Sequence, residues 1–187
     1  MKGIGVDVGG TAIKFVAVSE AGKVLDRAQV RTPATGKEFI AVISERIMRW
    51  KKELGGQLCA GMGFAGAVDF EQGVVRKAPN IPCIENIKIA EQVKKNTGVP
   101  CVLDNDANMA AWGAYAHELK GKYPTVVSVT LGTGVGGGLV LEGEMFRGAT
   151  GAAAELGHMN VVRNGRKCPC GGHGCLEAYC GKIGRAH

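Results

Sequence analysis

The chain has 187 residues, 45% of them hydrophobic, and a formal net charge of +6. That length and apolar content suffice for a buried core, as one domain or two small ones. Seven cysteines, an odd number, exclude a complete set of internal disulfides, and no run of about eighteen apolar residues offers a membrane span. The start, MKGIGVDVGG, holds no apolar signal region, so a soluble cytoplasmic protein with reduced thiols is the expectation. The positive charge suits an anionic partner, either nucleic acid or a phosphorylated small molecule. The basic residues are spread out, however, and aromatics make up only 5% of the chain. No dedicated nucleic-acid surface is expected; the densest basic patch, RWKKE at 49–53, closes an exposed helix face.

Residues 3–8 alternate as GIGVDV, GGT follows, and AIKFVAV runs over 12–18: strand, tight glycine turn, strand. KVLDRAQVRT, 23–32, reads as a third strand. From Glu38 to Leu54 apolar residues recur at helical spacing, and Gly55-Gly56 ends the helix. A buried strand over 57–68 runs into a glycine loop, and 73–79 is a short strand. An amphipathic helix covers 86–98 with Gly98 as its stop, followed by a strand over 100–103 and a helix over 104–121. GKYPT, 121–125, is a polar break and divides the chain into lobes 1–120 and 121–181. Beyond it VSVTLGTGVGGGLVL, 127–141, echoes IGVDVGGTAIKFVAV, 4–18. A fold that uses this hairpin once per lobe can hold a ligand between two facing turns.

Several stretches carry chemistry. In DVGGT, 7–11, glycines allow a tight turn whose N–H groups wrap phosphate oxygens, Thr11 adds a hydroxyl, and Asp7 can hold hydrated Mg2+. An ordinary hairpin turn would read the same. TLGTGVGGG, 130–138, has more glycine than a hairpin needs; close approach of phosphate explains the excess, and so does close packing of two strands. DNDAN, 104–108, places acids and amides at a helix start. One cap there is worth about 1 kcal/mol and needs one such residue, whereas four of these five positions are Asp or Asn. A carboxylate there can accept a proton from a substrate hydroxyl. Cys168, Cys170 and Cys175 stand at C-x-C-x4-C spacing on a glycine-rich loop, and three thiolates with one imidazole make a structural zinc set. Spacing leaves His158 and His173 both open as the fourth ligand. Cys59, Cys83 and Cys101 stand singly among apolar residues and read as core positions.

DVGGT, GFAGAVD, APNIP, NDAN, LGTGVGGG, ELGH and CPCGGHGCLE occur in the order found in the ROK family of sugar kinases and repressors, and the resemblance covers residues 1–181. It is most like the family's bacterial glucokinases. The resemblance implies an α/β chain with the actin-like, ribonuclease H-like ATPase fold, two lobes and a cleft. It implies ATP-dependent phosphorylation of a hexose, glucose first, at its 6-hydroxyl. N-acetylmannosamine or fructose kinases and a non-enzymatic sugar-binding regulator are the alternatives. By the family pattern Asn105 and Asp106 bind the sugar, with Asp106 the general base, and Glu155, His158 and Glu177 make further hydroxyl contacts. Gly9, Gly10 and Thr11 match the first phosphate loop, with Asp7 near Mg2+; Gly132, Thr133 and Gly134 match the second. The zinc ligands implied are His158, Cys168, Cys170 and Cys175. A homodimer is implied as well, with neither nucleic acid nor membrane as partner. The chain departs from the pattern at Ala65, where the family loop often carries proline, and it starts without the helix-turn-helix of repressor members.

Family members run on for roughly another hundred residues, so this chain is expected to be an N-terminal fragment whose second lobe is truncated and whose activity is impaired. The last six residues, KIGRAH (182–187), translate a common sequencing-adapter sequence and are expected to be non-native.

Overall fold

The computed structural model describes residues 1–182; residues 183–187, and with them nearly all of the expected non-native tail, lie outside the described residues. Close contacts divide the chain into two units, Met1–Asp106 and the part from Ala107 onward.

The first unit opens with β1 (Lys2–Val8), β2 (Ala12–Val18) and β3 (Val24–Arg31), then α1 (Gly36–Leu54) and β4 (Leu58–Phe64). Three short strands follow, β5 (Ala67–Asp69), β6 (Val74–Lys77) and β7 (Glu85–Ile87), then α2 (Ile89–Thr97) and β8 (Cys101–Asn105). A five-stranded sheet has the order β3-β2-β1-β4-β8, and β5-β6-β7 form a small sheet of their own. β1, β2 and β3 meander antiparallel, whereas β4 and β8 join β1 in parallel. The two-residue period predicted for β1 holds: Ile4, Val6 and Val8 are buried and Asp7 points outward.

α1 starts where Thr35 accepts the N–H of Glu38 at 3.3 Å, and it ends at Gly55, whose φ of 58° lies in the left-handed region. Its stripe of Phe39, Ile40, Ile43, Ile47 and Trp50 is buried against the sheet residues Phe15, Met62 and Phe64. The Trp50 indole donates to Asp26 Oδ2 at 2.8 Å, which satisfies its polar edge inside the core. That bond, ahead of the one from the Arg27 N–H, holds the Asp26 carboxyl below the usual range.

Three details differ from the sequence expectation. Residues 85–87 form β7 rather than the first turn of a helix, because the free edge of β6 pairs with them at Val75–Ile87 and Lys77–Glu85. β8 continues to Asn105, so Asp104 and Asn105 are strand residues and α3 (Asp106–Gly113) begins at Asp106. The expected helix over 104–121 is regular only to Gly113; one π turn spans Ala114–Glu118, and Lys120 and Gly121 at positive φ end it.

The second unit carries β9 (Val126–Leu131), β10 (Val135–Leu141) and β11 (Glu144–Met145) in the order β11-β10-β9, with α4 (Glu177–Cys180) near its end. Its small core joins Ala111 of α3 to Val140 and Met145, flanked by Tyr115 and Val126. By close contacts residues 107–120 group with the second unit. The outward residues of β9, Val127, Val129 and Leu131, are exposed. Among the described residues no helix is long and apolar enough to cross a membrane.

Candidate functional site

The sequence-predicted site residues fall in two groups, one per unit. In the first unit, the DVGGT turn closes the β1–β2 hairpin, with the N–H of Gly9 donating to the carbonyl of Ala12 at 3.1 Å. Thr32, just beyond β3, binds the turn from behind: its hydroxyl donates to the Gly9 carbonyl at 2.6 Å and its N–H to that of Thr11 at 3.0 Å. A side chain at Gly10 would meet the carbonyl oxygen of Asn80 at 2.7 Å and its Cβ at 2.9 Å. Gly10 is therefore small because the APNIP loop packs against it. Asp7 faces Lys14 directly across the hairpin, and Lys14 Nζ lies 3.3 Å from Asp7 Oδ2. The sequence reading overlooks this cation; counting register outward from the glycine turn finds it.

The acid- and amide-rich stretch at 104–108 separates by burial. Asp104 and Asn108 are 4% and 3% exposed, Asn105 is half-buried and Asp106 is exposed. Asp104 accepts the N–H of Asn105 at 2.8 Å, and the Asn105 amide donates to the Gly66 carbonyl at 3.3 Å. Gly66 has a φ of 156°, and a Cβ there would strike the Lys77 carbonyl, so the loop after β4 requires glycine at this point. Asn105 thus tethers the GFAG loop, and Asp106 beside it is open to solvent.

In the second unit, the turn 132–134 closes the β9–β10 hairpin. Its glycines have different neighbours. A Cβ at Gly136 would meet Thr130 and Ala107, at Gly137 the Ala154 carbonyl and Leu156, and at Gly138 Ala111 and Ala107. Packing of α3, of Thr130 and of residues 154–156 against β10 therefore accounts for three glycines of the run. Gly134 lies against the carboxylate of Glu177, whose Oε2 accepts the Val135 N–H at 2.9 Å. Gly132 has nothing within 4 Å and is the open position of this turn.

His158, Cys168, Cys170 and Cys175 come together, with one ligand atom from each lying within 4.8 Å of all the others. The geometry selects His158; the carbonyl of His173 instead accepts the Asn160 amide at 2.6 Å. Cys170 Sγ and Cys175 Sγ are 3.7 Å apart, far beyond a disulfide bond. Thiolates about 2.3 Å from a tetrahedral zinc stand roughly 3.8 Å apart, so the donor set fits that ion in spacing and in chemistry. His158 Nδ1 faces Cys168 Sγ at 3.8 Å, while Nε2 lies 3.9 Å from Glu155 Oε2. One ring nitrogen is thereby aimed at the cluster and the other at a carboxylate. Burial pushes the Cys168 thiol up to about 11, whereas the Gly172 backbone N–H holds Cys170 below the ordinary thiol value.

Residues 3–186 match the ROK family, and the chain belongs to that family. It is 39% identical over 177 residues to a glucokinase of Streptomyces coelicolor, an alignment covering 94% of this chain and 55% of that protein. An N-acetylmannosamine kinase of Vibrio cholerae is 32% identical, over 95% of this chain and 61% of its own length. The crystal structure of a ROK hexokinase from Thermus thermophilus superposes with a TM-score of 0.84 at 34% identity, covering 98% of this chain and 61% of that one. A ROK glucokinase from Streptomyces griseus, in complex with glucose and AMPPNP, gives 0.81 at 37% identity over 98% and 58% of the two chains. The fold is accordingly the mixed α/β, actin-like ATPase fold, and the chain spans between half and two thirds of the length of these relatives.

Proposed function

We propose that the complete protein phosphorylates the 6-hydroxyl of a hexose, glucose first, with ATP as donor. The observation that carries this reading is the likeness, along nearly the whole chain, to a glucokinase crystallised with glucose and AMPPNP. Asp106, solvent-open beside the tethered Asn105, is the general base that orients and deprotonates the attacking hydroxyl. Asn105, Glu155, His158 and Glu177 are the remaining sugar contacts.

Phosphoryl transfer needs positioning and charge neutralisation more than covalent help. The turns Gly9–Thr11 and Gly132–Gly134 cradle the ATP phosphates, and Mg2+ near Asp7 supplies neutralising charge when bound. Lys14, beside Asp7, adds a fixed positive charge at the first turn. His158, Cys168, Cys170 and Cys175 would hold a structural zinc, which would fix the loop that carries His158 and leads to Glu177. The protein works as a cytoplasmic homodimer, with neither nucleic acid nor membrane as a partner.

A coupled assay on the gene's complete product, run with glucose, N-acetylmannosamine and fructose, tests the reading. Glucose is expected to give the highest kcat/KM, and Asp106→Asn to lower kcat by about 10²- to 10⁴-fold. Wild-type rates in Asp106→Asn would overturn the base assignment. Preference for N-acetylmannosamine would favour the second reading, which the Vibrio cholerae relative supports.

A further inference from the structure

Glu177 stands two residues after Cys175, and its side chain leaves the cysteine cluster for the second glycine turn. Its Oε2 accepts the Val135 N–H at 2.9 Å, and a Cβ on Gly134 would collide with the same carboxylate. Five residues on, the Lys182 N–H donates to the carbonyls of Gly132 and Thr133 at 3.0 and 3.1 Å. Glu177 therefore holds the turn from its N–H side, and the carbonyl-side contact comes from Lys182, the first residue of the expected non-native tail. The chain around Glu177 is tied to the cluster. The Leu176 N–H donates to the Met159 carbonyl at 2.9 Å, the Ala178 N–H to the Cys175 carbonyl at 3.0 Å, and Asn160 pairs with Cys175 across an isolated bridge.

We propose that Glu177 is a positioning residue that transmits occupancy of the Cys3His cluster to the shape of the turn 132–135. Without a cation nothing holds the three sulfurs and the imidazole to one arrangement; a divalent cation would displace the thiol protons and hold the four donors together. Cys175 is one of the four. Fixing Cys175 fixes the backbone from which Glu177 reaches Val135, and the turn is then clasped. The Val135 N–H is thus taken by a carboxylate, as the Gly132 N–H is by the Gly134 carbonyl at 2.9 Å. The inference rests on the cluster and the clasp alone and stands whether or not the protein phosphorylates a sugar.

The test uses the 187-residue chain, metal-free and loaded with Zn2+ or Co2+. Co2+ absorption reports a thiolate-bound metal, and amide hydrogen exchange followed by NMR reports the turn. Loading is expected to slow exchange at Val135 by about tenfold or more relative to Leu139–Leu141 in the same strand, as loss or gain of one charged hydrogen bond implies. Glu177→Ala is expected to keep the Co2+ spectrum and lose the slowing at Val135 alone. If Glu177→Ala does not fold, Glu177→Gln decides, because its amide oxygen is a weaker acceptor and the slowing should shrink at least about threefold. Absence of metal binding, equal Val135 exchange with and without metal, or a full metal response in the folded variant would each overturn the proposal.

Discussion

The two glycine turns read alike in the sequence and are built differently. The first, Gly9–Thr11, lies between β1 and β2, in a sheet whose core includes Val8, Ile13, Phe15 and Phe64. Thr32 and the loop at Asn80 hold it from behind. The second, Gly132–Gly134, joins two strands of a three-stranded sheet whose core is three buried side chains and whose edge strand shows Val127, Val129 and Leu131 to solvent. Its support is backbone-close packing at Gly136–Gly138 and the grip of Glu177. Hydrophobic burial sets the first turn in place, and the fit of small residues with a thiol-rich loop sets the second. Glycine richness thus marks a close approach without saying what approaches.

The largest expected effect falls on the support of the first turn. Phe64 is fully buried, pairs with Val8 in the sheet and packs on Phe39 with ring centroids 6.0 Å apart. Phe64→Ala should cost about 3–5 kcal/mol, read from denaturant midpoints. Exchange in β9 and β10 should be spared; equal loss in both units would break the contrast. On the second side, Gly138→Ala pushes a methyl into Ala111 and the Ala107 carbonyl and should cost about 1–3 kcal/mol by overpacking. A neutral outcome there would restore the idea that these glycines wait for a ligand. A smaller effect sharpens the picture of the first turn. Thr32→Val keeps the shape of the side chain and removes the 2.6 Å bond to the Gly9 carbonyl, so about 1 kcal/mol of stability should go.

How far these differences could be read from the sequence depends on which contacts are local. The β1–turn–β2 hairpin and α1 are legible because their signals are periodic and end in glycine: Ile4, Val6 and Val8 alternate, and Gly55 stops the helix. β7 is not, since three residues over 85–87 become a strand only by meeting the edge of β6. The grouping of residues 107–120 with the second unit is likewise hidden, because it depends on Ala107 and Ala111 meeting glycines some thirty residues away. At the cluster, cysteine spacing marks three donors, but the choice of His158 over His173 needs the loop folded. Lys14 escapes, and so does the hold of Glu177 on the second turn, for related reasons: one acts across a register and the other through a backbone N–H more than forty residues earlier.

Gly132 provides the smallest effect and the sharpest test. Among the glycines of the second turn and strand it alone has no atom within 4 Å of a would-be Cβ, and its φ is not in the left-handed region. Gly132→Ala should therefore leave stability within about 0.5 kcal/mol of wild type, as for surface changes that touch nothing. On the proposed function, the same methyl would crowd the turn that is to receive a phosphate. Affinity for a nucleotide, read by calorimetry on the complete protein, should then fall while stability holds. Gly138→Ala should do the opposite, lowering stability and leaving the affinity of the folded fraction alone. If both variants lose stability and affinity in the same ratio, the turn is purely structural and its part in phosphate binding falls. If they separate as stated, one glycine run serves two physical ends, with its first position left open for a ligand and its last three closed by α3, Thr130 and residues 154–156.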